Sequence, residues 1–391
     1  MKIFVVPATY NEKDNIEKFI TVLEEEVFPK IENHDMHILV ADDFSPDGTG
    51  DIVKHLMKKY KNLGINQGER KGLGAAYIRT MGHAIEKEGA DVVVSIDADF
   101  QFDPFDLIKY VKKLEEGYDM VVQTRYSGGG SIPENWPPQR KVFSIVANLF
   151  VRVVFMKLSI HDWTGGFRAI TKKVFLTVAP KMKGFNGYIF QIAFLHRAVR
   201  DGFTVGEVPL HFSDRKLGSS KIAPLSYILD VVKFVVGTRL RELKRFIEFL
   251  IVGGTGFIVQ VGSQEISVAL HAAHPLAVGI GAEAAIVSNF LLNNFWTFSD
   301  TKKLKQNSNF FVKFVEFNIT SMASIFIQIA AVWIAERILG VNMHLLSYTL
   351  PTRIVVLFPT IIFLVIPLNY LIYNKLIWKT QYLKDGASQK K

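Results

Sequence analysis

Residues 95–104 read SIDADFQFDP, with Asp97, Asp99 and Gln101 spaced two apart at the end of an apolar run. Alternate residues of a strand share a face, so two carboxylates and a carboxamide would point the same way if extended geometry persists through Gln101. Oxygen donors of this kind suit a hard cation, Mg2+ or Mn2+, which completes its shell with water and substrate phosphates. Two further polar clusters follow apolar runs: PATYNE at 7–12 and DDFSPDGT at 42–49. Each alone reads as a strand-to-helix turn, where Asn, Asp, Ser, Pro and Gly are at home. Three together call for a fold that gathers strand ends at one edge.

Periodicity supplies such a fold. NEKDNIEKFITVLEEEV at 11–27 and GLGAAYIRTMGHAIEKEG at 72–89 carry apolar residues at helical spacing, and SPDGTGDIVKHLMKKY at 45–60 is a turn leading into a helix. KIFVVPA, HILVADD and ADVVVSIDAD are short apolar strands. Strands separated by such helices predict a parallel sheet with covering helices, in which ligands bind beyond the carboxyl ends of the strands.

The chain has 391 residues, enough for two domains, and its 49% hydrophobic content is unevenly spread. Charged and apolar segments alternate up to residue 221, whereas from Arg245 onward the apolar runs have membrane-spanning length, roughly 20 residues each. A soluble head followed by a membrane tail is expected. The absence of cysteine excludes disulfides and thiolate metal sites. MKIFVVPATYNE turns polar too early for a signal peptide, so the head is expected on the side of synthesis. A net charge of +9 fits a membrane protein with basic loops on one side, and no nucleic-acid partner is expected.

Taken in order, PATYNE, DDFSPDGT, KGLGAAYIRTMGHA (71–84), DADFQ (97–101), TRYSGGG (124–130), RKVFS (140–144), DWTGGFRAI (162–170), GYIFQ (187–191) and GEVPLHFSDRKLGSSK (206–221) resemble the successive motifs of family 2 glycosyltransferases. Within that family the set is most similar to polyprenol (dolichol) phosphate mannose synthases. The resemblance implies an α/β GT-A (Rossmann-like) catalytic domain over 1–221, a nucleotide-sugar donor and a lipid-linked phosphate acceptor. By the same resemblance Pro7, Tyr10, Glu12 and Asp42 form the nucleoside pocket, and Asp97, Ala98, Asp99 and Gln101 meet the donor. Asp97, Asp99 and Gln101 hold the metal, while Arg215 and Lys221 approach the donor diphosphate. Arg125, Arg140 and Ser144 receive the acceptor phosphate, and Asp99, Arg125 and Arg140 carry catalysis. The chain departs from the pattern at Ala193, where many relatives carry an acid, and has Phe44 at the variable third position of DDxS. A phosphate monoester, with a second pKa of about 6, is already largely anionic at neutral pH, so no catalytic base is assigned. The expected reaction is inverting transfer of mannose from GDP-mannose to polyprenyl (dolichyl) phosphate. A glucosyltransferase using UDP-glucose, and a lipid-linked sugar flippase with a sensing head, are the alternatives.

Residues 222–244 read as interface or juxtamembrane helices, or as the last helix of the head, before four expected spans at 246–270, 275–298, 311–335 and 348–374. These spans make an all-α domain over 245–379, with a tail at 380–391. Lys302, Lys303, Lys305 and Lys313 place the loop 299–313, the catalytic domain and both termini on the cytoplasmic side of the bilayer. RFIEFLIVGGTGFIVQ (245–260) repeats as KFVEFNITSMASIFIQ (313–328), and Asn289 and Asn294 recur as Asn369 and Asn374. Two similar helical hairpins are therefore expected, with Gly253, Gly254 and Gly256 allowing close packing and asparagines bonding across helices. This region resembles the GtrA-like membrane proteins. Glu248 and Glu316 begin equivalent spans, each a functional candidate or the partner of a nearby lysine. Self-association as a homo-oligomer is left open.

Overall fold

The computed structural model describes residues 1–133, 136–185, 187–211, 225–272, 274–303, 309–345 and 348–380. It divides into two compact units, Met1–Arg239 and Leu240–Lys391.

The first unit is built on one seven-stranded sheet. Its strands are β1 (Lys2–Thr9), β2 (Asp35–Asp42), β3 (Leu63–Gln67), β4 (Val92–Asp97), β5 (Met120–Thr124), β6 (Arg168–Thr171) and β7 (Val205–Pro209), in the spatial order β3-β2-β1-β4-β6-β5-β7. Alternation along the strands fills both faces. Phe4, Val6, Leu39, Ala41 and Val93 pack into one apolar layer with α3 (Leu73–Glu86), α6 (Lys172–Val178) and α7 (Gly187–Arg200). Ile3, Val5, Ile38, Val40, Val92 and Val94 pack into the other with α1 (Lys13–Val22), α2 (Thr49–Leu56) and α4 (Leu107–Glu115). A doubly covered sheet explains why these strands read as continuous apolar runs.

The expectation of a wholly parallel sheet needs correction. β6 runs antiparallel to both β4 and β5, while the remaining neighbours are parallel. The first three residues of this four-residue strand close the DWTGGFRAI motif, and its insertion carries the DWTGG loop to the polar edge of the sheet.

Register gathers the strand ends. Ala8 pairs with Ala41 on one side and with Asp97 on the other, and Thr9 pairs with Asp42. The polar clusters after β1, β2 and β4 therefore open at one edge.

Helix α5 (Pro138–Val154) has two unlike faces. Asn148 and Val151 are buried, with Arg140 and Ser144 half-buried on the same helical stripe. Val142, Phe143, Ile145, Val146, Leu149 and Val153 on the other stripe are 47–61% exposed.

In the second unit, α8 (Leu225–Ala269, which begins in the first unit), α9 (His274–Leu292), α10 (Phe310–Leu339), α11 (Thr352–Thr360) and α12 (Ile366–Ile372) are the main helices. Among the described residues, two segments, Ile228–Ala269 and Phe310–Leu339, are long and apolar enough to cross a membrane. π-type turns occupy Asn293–Thr297, Ile361–Val365 and Tyr373–Ile377. Trp378 stacks on Phe298 at 4.5 Å, and Phe290, Phe317 and Tyr373 close an aromatic cluster around them. The unit is not all-α: β8 (Asn342–Leu345) and β9 (Tyr348–Pro351) form an antiparallel hairpin. The last helical stretch accordingly begins at Thr352 rather than 348, because residues 348–351 spend their backbone groups on the hairpin. Glu248 does approach a lysine, Lys244, at 3.6 Å.

Candidate active site

The converging loops enclose a cleft of ≈ 700 Å³ lined by Tyr10, Glu12, Asp43, Asp97, Asp99 and Gln101 at one part of its wall and by Gln123, Arg125, Thr164 and Gln191 at another. Ligand sites commonly have this size.

The acid turn differs from the extended geometry expected of it. β4 ends at Asp97, the chain turns, and Phe100 adopts φ 56°. Asp99 Oδ1 accepts a hydrogen bond from the Gln101 amide at 3.1 Å. An aspartate that bonds two residues onward makes its own turn, and here that local bond wins over continuation of the pleat. Asp97 lies close to Gly166, since a Cβ at that glycine would stand 3.6 Å from Asp97 Oδ2. Tyr77 donates to Asp97 Oδ1 at 3.5 Å. Burial, with the charges of Asp97 and Asp99 adding to it, pushes the Tyr77 phenol well above its ordinary pKa, so it stays a donor.

The two carboxylates fit a hard divalent cation: both are half-exposed on the cleft wall. Among the described residues no group of three or more His, Cys, Asp or Glu gathers to hold a metal by itself. Two acids and one amide would leave coordination positions for water and a diphosphate, the usual manner of a magnesium site.

The nucleoside end contains a surprise. Asp42 is fully buried and holds its own loop: it accepts from Ser45 Oγ at 2.6 Å and from Gln67 Nε2 at 2.8 Å. Asp43 instead lines the cleft, gripped by Arg79 through Nη1 and Nη2 at 3.1 Å. Tyr10 lies 3.8 Å beneath the guanidinium of Arg70, whose side chain also lines the cleft. Pro7 sits within β1, paired with Ile96. Glu12 precedes α1 and accepts from Asn15 Nδ2 at 2.8 Å. Ala98 is buried and meets the cleft at the turn. Asp43 and Arg70 were missed by sequence reasoning, because nothing in DDFS says which aspartate turns inward.

At the opposite end Arg125 is committed to the protein. Its Nε donates to Asp162 Oδ2 at 2.7 Å, and its Nη2 donates to Asp162 Oδ1 at 2.9 Å and to Thr164 Oγ1 at 2.8 Å. Burial raises the pKa of Asp162, but the charge and hydrogen bonds of Arg125, with help from the Thr164 amide and Arg168, outweigh it and hold the carboxyl below its usual range. Asn148 on α5 accepts from Trp163 N at 2.8 Å, and Ser144 shares a 2.6 Å hydrogen bond with the Tyr126 hydroxyl. Arg140 stacks over Trp136 at 3.6 Å, one turn before Ser144 on the same stripe of α5. The structure thus joins Arg125 and Ser144 to one loop-and-helix framework. Arg215 and Lys221 lie outside the described residues.

A buried arginine fixes the loop itself. Arg168 is 1% exposed and donates to the carbonyls of Gly165, Gln191 and Trp163 at 2.8, 2.6 and 3.0 Å. Burial pushes its pKa down to about 10, which leaves it cationic at neutral pH. Gln123 accepts from the Phe167 amide at 3.1 Å and packs so tightly that a Cβ at Gly165 would fall 2.3 Å from it. Any larger residue there would have to displace the Gln123 side chain.

A charged cleft at the carboxyl edge of a mixed α/β sheet, with an acid turn and a separate helical unit, is the arrangement of a GT-A-like glycosyltransferase with a membrane domain. Residues 4–178 match Glycosyl transferase family 2, and residues 248–378 match the GtrA/DPMS transmembrane domain. The chain is 30% identical over 342 residues to the dolichol-phosphate mannosyltransferase of Pyrococcus furiosus, covering 85% of this chain and 90% of that protein. It is 34% identical over 221 residues to the polyprenol monophosphomannose synthase of Mycolicibacterium smegmatis, covering 56% of this chain and 80% of that protein. Among solved structures it is similar to glucosyl-3-phosphoglycerate synthase from Mycobacterium tuberculosis, with 21% identity, a TM-score of 0.43, and 61% of this chain and 79% of that one covered. The protein belongs to the polyprenol (dolichol) phosphate mannose synthases of glycosyltransferase family 2 and is a membrane protein.

Proposed function

We propose that the protein transfers mannose from GDP-mannose to polyprenyl phosphate, with inversion, on the cytoplasmic face of the membrane. The observation that carries this reading is a continuity: one cleft runs from Tyr10 and Asp43, past Asp97 and Asp99, to Arg125, whose framework includes the α5 stripe bearing Ser144 and Arg140. The other stripe of α5 is bare aliphatic and aromatic surface. A lipid-linked acceptor needs this combination: an anchor face in the bilayer interface beside a polar grip for its phosphate.

The nucleoside rests at Tyr10, Glu12 and Asp43, and the diphosphate at the acid turn, where Asp97, Asp99 and Gln101 would hold Mg2+ or Mn2+. When bound, the cation neutralises charge that develops on the leaving diphosphate. Arg215 and Lys221 add to that neutralisation. Arg140 grips the acceptor phosphate as a planar fork, and Arg125 with Ser144 fixes its direction from a preset framework. An acceptor oxygen forms the new bond to the anomeric carbon, the bond to the diphosphate breaks, and GDP leaves with the electron pair. The nucleophile is already an anion, so no side chain must take its proton. Positioning and electrostatics are the chain's work.

The helical stretches 240–269, 274–298, 310–339 and 352–377 supply four spans in this reading, with the loop 299–309 and both termini cytoplasmic. Equilibrium binding of labelled GDP-mannose to the purified full chain tests the donor. Retention that needs Mg2+ or Mn2+, is displaced by GDP and ignores UDP-glucose is the expected result; retention of UDP-glucose in its place would transfer the reading to a glucosyltransferase.

A further inference from the structure

A second cavity, of ≈ 500 Å³, lies within the helical unit between α8, α9, α10 and α12. Among the described residues no charged side chain lines it; its polar walls are carboxamides and hydroxyls, and Phe249, Phe317 and Tyr373 supply aromatic surface. Its size falls in the range of small-molecule sites.

The internal repeat makes this cavity nearly two-fold, and the departure from symmetry is informative. Gly256 in 245–260 stands where Ser324 stands in 313–328, and Asn289 stands where Asn369 stands. In the second hairpin Ser324 Oγ donates to Asn369 Oδ1 at 2.8 Å, sharing its proton with the Thr320 carbonyl at 3.0 Å, so that oxygen has a donor within the protein. In the first, position 256 has no side chain. The Asn289 amide leans over it so closely that a Cβ there would fall within 2.3 Å, yet Asn289 Oδ1 is buried with no hydrogen-bond partner. One turn further on, at the start of a π-type turn, Asn293 is 1% exposed and its Oδ1 is likewise without a partner. Buried acceptors without donors lose their hydration and gain nothing for it. π-type turns often mark functional positions.

Two adjacent carboxamide oxygens therefore await hydroxyl donors, in a chamber with no cation to hold a phosphate. We propose that this cavity binds the neutral, hydroxyl-rich glycosyl headgroup of a lipid-linked sugar, its hydroxyls donating to Asn289 and Asn293 and its apolar ring face packing on the aromatic walls. The first hairpin is the open half of the site and the second is closed by Ser324. That the sugar is the mannose of the enzyme's own product rests on the transfer reading above; the demand for a neutral polyol rests on the cavity alone.

Photolabelling separates the two. The full chain in phosphatidylcholine vesicles is given mannosyl phosphoryl polyprenol carrying a diazirine on the sugar or, separately, polyprenyl phosphate with a diazirine beside its phosphate, and labelled peptides are mapped by mass spectrometry. The sugar probe is expected to label 249–260 or 282–293, and the sugar-free probe to leave them unlabelled. Gly256→Ser, whose Cβ pushes the Asn289 amide aside from its present place and whose hydroxyl then occupies that amide as Ser324 occupies Asn369, is expected to reduce that label about tenfold, a difference of roughly 1.4 kcal/mol in binding. Ser324→Gly, which opens the second half, is expected to bring label to 365–373. Label on residues 1–239 of the same sample is the internal reference, and only variants that elute as wild type are scored. Equal labelling by the sugar-free probe, no label in these helices, or label indifferent to both substitutions would overturn the site. Transfer activity is measured on the same preparation, so a failed mannosyltransferase reading and a failed cavity give different results.

Discussion

In the cleft of the first unit charged groups stand among the polar ones and are gripped by partners, Arg125 by Asp162 and Asp43 by Arg79. In the cavity of the second the polar groups are neutral, and two amide oxygens have no partner. The cleft is made of loops at strand ends, the cavity of side chains on helices. The difference follows from the media. An aqueous cleft that handles diphosphate and phosphate can bear ionised groups because water and counter-charges share their cost, whereas a membrane bundle can afford only groups that helices or a neutral ligand satisfy.

The sharpest way to break this contrast is to neutralise one charge on the cleft side. Asp99→Asn is expected to lower kcat about 10²–10³-fold, and Asn293→Leu in the cavity by less than tenfold, measured by single-turnover transfer. Comparable losses would mean that both regions serve the chemical step.

The next effect separates framework from grip within the cleft. Asp162→Asn strands Arg125 and Arg168 without their buried counter-charge and is expected to cost about 3–5 kcal/mol of stability, read by denaturation of the full chain. Arg140→Ala, half-exposed and stacked on Trp136, is expected to change stability by no more than about 0.5 kcal/mol while raising KM for the lipid acceptor. Should Arg140→Ala unfold the protein and Asp162→Asn leave it intact, the assignment is reversed.

How much of this was legible beforehand varies with how local the cause is. Strand-helix alternation, the three polar clusters and the repeat of 245–260 at 313–328 are written in short windows, and periodicity reads them. β6 was hidden because four residues gain strand identity only from β4 and β5 on either side. The turn at Asp99 depends on one side chain bonding its own backbone, and the β8–β9 hairpin interrupts what reads as an apolar span. RKVFS was recognised as a motif, yet the exposed aliphatic stripe of α5 emerges only once the sheet has claimed the other stripe. Asp42 and Asp43 are equal in sequence; burial alone tells the clamp from the cleft residue.

That stripe yields a smaller, more selective prediction. Val142→Asp with Val146→Asp should raise KM for long-chain polyprenyl phosphate about tenfold, equivalent to about 1.4 kcal/mol, and leave a short, soluble acceptor unaffected. Equal penalties on both acceptors would remove the interfacial role.

The last expected effect is in pH. Asp162 has its folded pKa below the unfolded value, so its contribution to stability is complete above about pH 4 and is lost as pH falls toward the folded pKa. Denaturation profiles of wild type and Asp162→Asn should therefore differ by a constant amount near neutrality and converge in acid. A gap that widens as pH falls would contradict the sign of that shift.

The most direct test of the account is transfer of radiolabelled sugar into polyprenyl phosphate by detergent-purified full-length protein, with GDP-mannose and UDP-glucose in separate reactions. The account predicts labelled lipid from GDP-mannose in Mg2+ or Mn2+, abolished by EDTA and lowered about 10²–10³-fold by Asp99→Asn. Label from UDP-glucose alone, or label from GDP-mannose that EDTA leaves undiminished, would contradict it.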